Sequence, residues 1–230
     1  MRIAVLGTGI VGQTLSSGLA GLGHDVMMGT RDVQEKLLEE GNDRYGNPPL
    51  KEWIKKNEAV KLVSFADAAE FGEIVINATN GGNALNALDL ANEENLTGKI
   101  IVDVSNPIDF TEAGAPFLIE GLNNTNSLGE EIQKEFPETK VIKTFNTVNC
   151  SLMVNPNSLG GGDHVNYISG NDADAKSKVK RLLMELGWKD GNIVDLGDIT
   201  AARAQESFLL MWLKVMETIG TEEFNFQIVK

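Results

Sequence analysis

Glycines at positions 7, 9 and 12, spaced G-x-G-x-x-G, and a hydroxyl beside a guanidinium at Thr30 and Arg31 are the residues whose types and spacing point most directly to chemistry. The glycines follow an apolar run, Arg2-Ile-Ala-Val-Leu6, and precede a helical pattern of Leu15, Leu19 and Leu22. In that context each glycine has a physical task. Gly7 permits a tight turn, Gly9 lets a pyrophosphate approach the backbone, and Gly12 lets helix and strand pack closely. The start of the helix adds unpaired N–H groups and a partial positive charge. Thr8, Ile10 and Val11 offer further backbone to the phosphates. The pattern predicts a dinucleotide site.

The end of the second strand indicates which dinucleotide. An NAD site places an Asp or Glu about 20 residues past the glycine motif, to bind the ribose 2′-hydroxyl. Here the strand runs into Gly29-Thr30-Arg31 instead. A hydroxyl and a guanidinium are groups that a 2′-phosphate attracts. Asp25 opens the strand and so stands at its wrong end, while Asp32 lies just past it as a competing acid. The expected cofactor is NADP.

Ligands of open α/β sheets bind at the carboxyl ends of the strands. The remaining ends supply Ala78-Thr79-Asn80-Gly81-Gly82, Ser105-Asn106-Pro107 and Thr144-Phe145-Asn146-Thr147. Ala78, Thr79, Asn80, Asn106 and Pro107 are expected to line the nicotinamide side, and Asn146 to orient a ring. Gly81-Gly82 reads either as a flat backbone surface for that ring or as a loop. No residue is assigned as a general acid or base, and no metal ligands are assigned. Lys143 alternates with Thr144, so one of the two faces away from a ligand; His24 is at the wrong end of strand two. His164 reads as a solvated loop residue and Cys150 as a small buried side chain. Reducing a ketone needs a proton donor beside the hydride path. A ring cofactor as acceptor needs chiefly two faces held about 3–3.5 Å apart.

These groups need a scaffold, and the chain alternates strand and helix to supply it. Apolar strand patterns at 2–7, 25–29, 60–64, 73–78, 99–104 and 140–145 are separated by helical ones at 10–22, 33–40, near 53, 64–72, 84–92 and 127–136. After residue 150 the rhythm continues, with strands at 165–169 and 192–195 around a helix at 173–186. The expected fold class is α/β: a Rossmann-like, doubly wound, mostly parallel sheet with a smaller α/β-helical C-terminal part. Residues 1–150 form the nucleotide domain in this reading, and 151–230 complete the acceptor site. Residues 41–49 read as a turn-rich excursion, and Pro107 and Pro116 break regular structure across 106–125. The final helix, 200–219, is apolar nearly all round, so burial is expected in the chain's core or against a second copy.

The chain has 230 residues and a formal net charge of −13. That charge repels the phosphates of nucleic acid and of anionic membranes, so neither is an expected partner. A single cysteine excludes an internal disulfide framework. With no leader pattern and no apolar run of spanning length, the expected location is the cytoplasm. The four N-x-[ST] sequons, at Asn77, Asn95, Asn123 and Asn149, read as accidents of an Asn-rich chain.

Taken together, Gly7-Thr-Gly-Ile-Val-Gly12, Gly29-Thr-Arg31, Asp103-Val-Ser-Asn-Pro107 and Lys143-Thr-Phe-Asn-Thr147 resemble the coenzyme F420-dependent NADP oxidoreductase family. Ser169-Gly-Asn-Asp-Ala-Asp-Ala-Lys176 and Ala201-Ala-Arg-Ala204 extend the resemblance over nearly the whole chain. The Phe145-Asn146 pair and the Gly29-Thr-Arg31 turn also resemble the NADPH-binding domain of the STEAP metalloreductases. The resemblance implies NADPH at Thr8–Val11, its 2′-phosphate on Thr30 and Arg31, and a deazaflavin or flavin stacked on the nicotinamide. Asn146 stands where F420-using archaeal members carry a His, and Lys36 lies one position from a family Lys. Two other readings stay open: an imine or keto-acid reductase, and a sensor that binds NADP without turnover.

Overall fold

The computed structural model describes residues 1–42 and 46–230; residues 43–45 of the expected excursion lie outside the described residues. The chain opens with β1 (Arg2–Leu6), α1 (Ile10–Gly21), β2 (Asp25–Thr30), α2 (Val33–Leu38) and α3 (Leu50–Lys56). It continues with β3 (Val60–Ser64), α4 (Phe65–Phe71), β4 (Ile74–Asn77), α5 (Ala84–Ala91), α6 (Glu93–Leu96) and β5 (Ile100–Asp103). A short pair, β6 (Ile108–Phe110) and β7 (Pro116–Leu118), precedes α7 (Leu128–Glu135) and β8 (Lys140–Thr144). The C-terminal part holds α8 (Cys150–Val154), β9 (Asn166–Gly170), α9 (Ala173–Glu185), β10 (Ile193–Asp195) and α10 (Ala202–Ile219). Side chains start several helices where hydroxyls and carboxylates predict. Ser64, Ser127 and Asp172 each accept a bond from a backbone N–H of the first turn that follows.

Eight strands form one sheet in the order β10-β9-β8-β5-β4-β1-β2-β3. The chain moves outward from β1 to β2 and β3 on one side, then returns to β4 on the other. The switch point therefore lies between β1 and β4, where the two halves of a doubly wound sheet leave a crevice. Alternation along each strand divides the core into two layers. Ile3, Val5, Ile74, Ile76, Ile100, Val102 and Ile142 face the layer built with α1 and α9. Ala4, Leu6, Val75, Ile101 and Val141 face the layer built with α4, α5 and α7. Burial on both faces explains the apolar runs at residues 74–76 of β4 and 100–102 of β5.

Three features add to or correct the sequence reading of a mostly parallel sheet. First, β9 runs antiparallel to β8, pairing Thr144 with Ile168 and Ile142 with Gly170. The segment between them contains only the five-residue α8, about 7.5 Å long, and two three-residue helical turns. That is too short to cross back over the sheet, so β9 starts at the edge where β8 ends. Second, residues 106–125 are not wholly irregular, because β6 and β7 pair as an antiparallel hairpin with Pro116 at an edge. Third, α10 is not enclosed by this chain. Of its residues only Ala202, Gln205, Glu206 and Trp212 are buried, while Met211 is 56% and Ile219 51% exposed. No helix among the described residues is long and apolar enough to cross a membrane.

Candidate functional site

The glycine turn sits at the switch point. Gly7 has φ +117°, a conformation that side chains other than glycine's avoid, and a Cβ there would lie 2.5 Å from the Ala78 carbonyl oxygen. Its N–H donates to the Gly29 carbonyl at 3.0 Å, tying the turn to the end of β2. A Cβ on Gly12 would meet the Gly7 carbonyl oxygen at 2.1 Å, so helix and turn pack at a distance only glycine allows. Gly9 is the opposite case: nothing lies within 4 Å of the position its Cβ would take. Gly9 is also the N-cap of the twelve-residue α1, without a side-chain cap. The first N–H groups of α1 consequently face open space.

Thr30 and Arg31 border a hollow of about 250 Å³ together with Gly7, Thr8, Gly29 and Phe65. Thr30 is buried, with 7% of its surface exposed, and Arg31 is exposed. Among the described residues neither the hydroxyl nor the guanidinium has a hydrogen-bond or ion-pair partner. Asp32, the acid that could compete for a ribose, is occupied: its carboxylate accepts the Glu35 N–H at 2.9 Å as the N-cap of α2. That role was legible in the sequence, since an Asp three residues before a Glu is a helix-start signal. Lys36 lines the same hollow and is paired with Glu39 at 2.6 Å.

A second hollow of about 310 Å³ shares Gly7, Thr8, Arg31 and Phe65 with the first and adds Gly9, Ala78, Thr79 and Asn80. The two hollows wrap around the glycine turn. Thr79 directs its hydroxyl to the Asn77 side-chain oxygen at 2.7 Å, and Asn80 accepts the Gly82 N–H. Gly81 is no surface for a ring: it is buried, and a Cβ there would lie 2.0 Å from the Asn106 carbonyl oxygen. Its smallness allows the loop after β4 to touch the loop after β5.

Asn106 and Asn146 are brought together by two hydrogen bonds. The Asn106 amide donates to the Asn146 backbone carbonyl at 2.8 Å, and the Asn146 amide donates to Asn106 Oδ1 at 3.0 Å. Asn146 also donates to the Gln205 carbonyl of α10 at 2.9 Å, and its own buried Oδ1 has no partner among the described residues. Pro107, which follows Asn106, is buried. The preceding residue, Phe145, has φ +63°, a left-handed conformation costing of order 1–3 kcal/mol. That turn swings the chain away from β8 and presents Asn146 to Asn106.

Beneath this pair lies a group of ions that the sequence reading missed. Lys143 Nζ is fully buried and donates to Asp103 Oδ2 and the Ser105 carbonyl, both at 2.7 Å. It also lies 2.8 Å from Glu206 Oε1. Asp103 Oδ1 accepts from Asn77 and Ser105, and the Glu206 carboxylate accepts the Leu128 and Gly129 N–H groups at the start of α7. Burial alone would depress the Lys143 ammonium. Attraction to Asp103 and Glu206 and the bonds to both outweigh that and raise it above the ordinary lysine value. Charged residues inside otherwise apolar elements, at Asp103, Lys143 and Glu206, were the available signal.

Neither histidine serves the site. His164 is not solvated as expected; it is 4% exposed, bonds the Pro156 carbonyl and Asn225, and packs edge-on against Trp188. His24 lies beside Glu185, at the amino end of β2. Cys150 is partly buried, and that burial pushes its thiol up.

A doubly wound sheet with a glycine turn at its switch point and an uncapped helix start above it defines a nucleotide-binding α/β protein of Rossmann type. Residues 2–107 match the family model described as NADP oxidoreductase, coenzyme F420-dependent. A crystal structure of a candidate F420-dependent NADP-reductase from Arthrobacter sp. FB24 is 48% identical, with TM-score 0.93 and complete coverage of both chains. The chain belongs to the coenzyme F420-dependent NADP oxidoreductase family and is an NADP-dependent oxidoreductase. The metalloreductase STEAP3 of Rattus norvegicus is 27% identical over 215 residues, which are 92% of this chain but 37% of that protein. An imine reductase from Streptomyces aurantiacus shares the fold, with TM-score 0.63 at 15% identity, over 95% of this chain and 64% of that one.

Proposed function

We propose that this chain is an NADPH-dependent reductase that passes a hydride between NADP(H) and a deazaflavin such as F420, or a flavin. The observation that carries the reading is the end of β2, where among the described residues Thr30 and Arg31 have no partner and Asp32 is held in a helix cap. The residues fit the cofactor. The space over Gly9 and the open start of α1 suit a pyrophosphate, with Gly7 and Gly12 shaping the turn and Thr8, Ile10 and Val11 adding backbone. Thr30 and Arg31 hold the 2′-phosphate.

Ala78, Thr79 and Asn80 line the way to the nicotinamide, and Asn106, Pro107 and Asn146 border its ring. When bound, NADPH would supply a hydride, chemistry that asks no proton donor of this chain when the acceptor is a ring cofactor. The inventory supports such an acceptor: Asp103, Lys143 and Glu206, the ionisable groups nearest these strand ends, are buried and bound to one another. The chain's task is then to bind, to orient and to exclude water. Residues 1–150 carry the nucleotide, and 151–230 complete the acceptor side through Gln205, which holds Asn146. The exposed apolar face of α10 suits a second copy of a cytoplasmic enzyme.

Mixing the protein with NADPH and F420, FMN, FAD, an imine or a keto acid in turn, and following nicotinamide absorbance, tests the reading. Oxidation with one ring acceptor supports it. Oxidation only with an imine or keto acid, or tight NADPH binding without any turnover, would replace it with one of the other two readings. Arg31→Ala should weaken NADPH binding by about 1.5–3 kcal/mol and leave NADH nearly unchanged. Equal losses for both cofactors would remove Arg31 from the role.

A further inference from the structure

Residues 221–230 turn back from α10 and lie along the start of β9. Because β9 runs against β8, that start stands at the carboxyl edge of the sheet, beside Phe145. The Val165 N–H donates to the Phe226 carbonyl at 2.9 Å, and the Gln227 amide donates to Asp163 at 3.0 Å. Phe224 stacks on Trp212 with ring centroids 5.1 Å apart, and Phe226 packs edge-on against Phe208 at 4.8 Å. The tail is thus seated on the same helix whose first turn holds Asn146 through Gln205.

His164 is buried against this tail with both ring nitrogens engaged. Nε2 lies 2.9 Å from the Pro156 carbonyl, which only accepts, so Nε2 carries the hydrogen. Nδ1 lies 2.7 Å from the Asn225 amide nitrogen and accepts from it. The amide cannot turn over to suit another form of the ring. Its nitrogen also donates to the Val165 carbonyl at 3.0 Å, and its oxygen takes the Phe226 N–H at 2.9 Å. These partners admit one imidazole, neutral with its hydrogen on Nε2. A protonated ring donates from both nitrogens and would set an N–H against the Asn225 amide group. The titratable groups on the elements around the ring are Asp163, Tyr167, Cys150, Lys189 and the tail's Glu222 and Glu223. Asp163 is tied to Gln227 and Tyr167 packs on Phe208; among the described residues none of the six reaches either ring nitrogen.

We propose that His164 and Asn225 form a proton-operated latch on the C-terminal tail: neutral His164 holds the tail on β9 and α10, and a proton taken from solvent at Nδ1 releases it. Release uncovers Phe224, Phe226 and one face of Trp212 and loosens the outer side of α10. The glycine turn and Arg31, in the other half of the sheet, are unaffected. The latch is independent of the function proposed above. Histidine is the side chain that ordinarily changes charge between about pH 5 and 8, so the tail is held at the upper end of that range and freed toward the lower.

Hydrogen exchange at the Val165 and Phe226 amides, corrected for the intrinsic effect of pH, reads the latch at about pH 8 and about pH 5.5. In the wild type, protection should fall about tenfold at the lower pH. His164→Gln should give weaker protection that changes by less than about twofold between the two conditions. Asn225→Asp should reverse the sign, because a carboxylate accepts from the protonated ring and repels the lone pair of the neutral one. His24→Gln alters the chain's other histidine, at the amino end of β2, and should keep the wild-type response. Thermal melts confirm folding, and where His164→Gln fails to fold the sign seen in Asn225→Asp decides. Equal wild-type protection at both pH values would overturn the proposal. So would a fall that persists in His164→Gln, a fall of unchanged sign in Asn225→Asp, or a response that disappears in His24→Gln.

Discussion

Arg31 and Lys143 are both cations at the carboxyl edge of one sheet, Arg31 just past β2 and Lys143 within β8, and their circumstances are opposite. Arg31 is exposed and unpartnered among the described residues, beside a hollow that could hold an anion. Lys143 is fully buried, with Asp103, Glu206 and the Ser105 carbonyl around its ammonium. A strand end near the ligand can therefore carry charge for two purposes. A free charge is available for recognition. A saturated one holds loops in place, here tying α10 and α7 to β5 and β8 underneath Asn106 and Asn146. Residue type and position along the strand do not separate the two; partners do.

The contrast is easiest to break at Lys143. Lys143→Met leaves the Asp103 and Glu206 carboxylates buried without their cation and should cost about 3–5 kcal/mol of stability, seen as a lower midpoint in urea. A small loss of stability with a complete loss of turnover would make Lys143 part of the chemistry instead of the frame. Next in size is Gly12→Ala, whose new Cβ would press on the Gly7 carbonyl oxygen. It should cost about 1–3 kcal/mol by forcing α1 and the turn apart. Both NADPH and NADH should bind more weakly, because the shared pyrophosphate seat moves, in contrast to the selective loss expected for Arg31→Ala.

A smaller effect is expected at Thr30. Thr30→Val keeps the shape and removes the hydroxyl, so NADPH should weaken by about 0.5–1.5 kcal/mol with NADH unaffected. A loss shared by both cofactors would show that Thr30 supports the strand end and does not read the phosphate. The smallest effect concerns pH. The folded value of Lys143 is raised, so its contribution is fully present below the ordinary lysine value of 10.5 and fades as pH climbs through the raised one. The stability difference between wild type and Lys143→Met should therefore be flat from neutral pH to about pH 10 and shrink above it. A difference that already falls near neutral pH would contradict an ammonium stabilised by two carboxylates.

The parts legible in the sequence were those set by near neighbours along the chain. The strand-turn-helix at Gly7, Gly9 and Gly12, the Thr30-Arg31 end of β2 and the apolar runs of β4 and β5 each announce themselves within a few residues. Backbone sterics and alternation act at that range. The Asp32 cap is local too, since Glu35 stands three residues on.

What the chain order could not disclose was decided by contacts between distant segments. The reversal of β9, the hairpin at Ile108–Phe110 and Pro116–Leu118, and the enclosure of His164 all depend on which surfaces meet in three dimensions. So does the fate of Lys143, whose anions come from residues 40 positions before it and 63 after it. A charge's cost or use depends on its solvation and partners, and both are properties of the assembled fold.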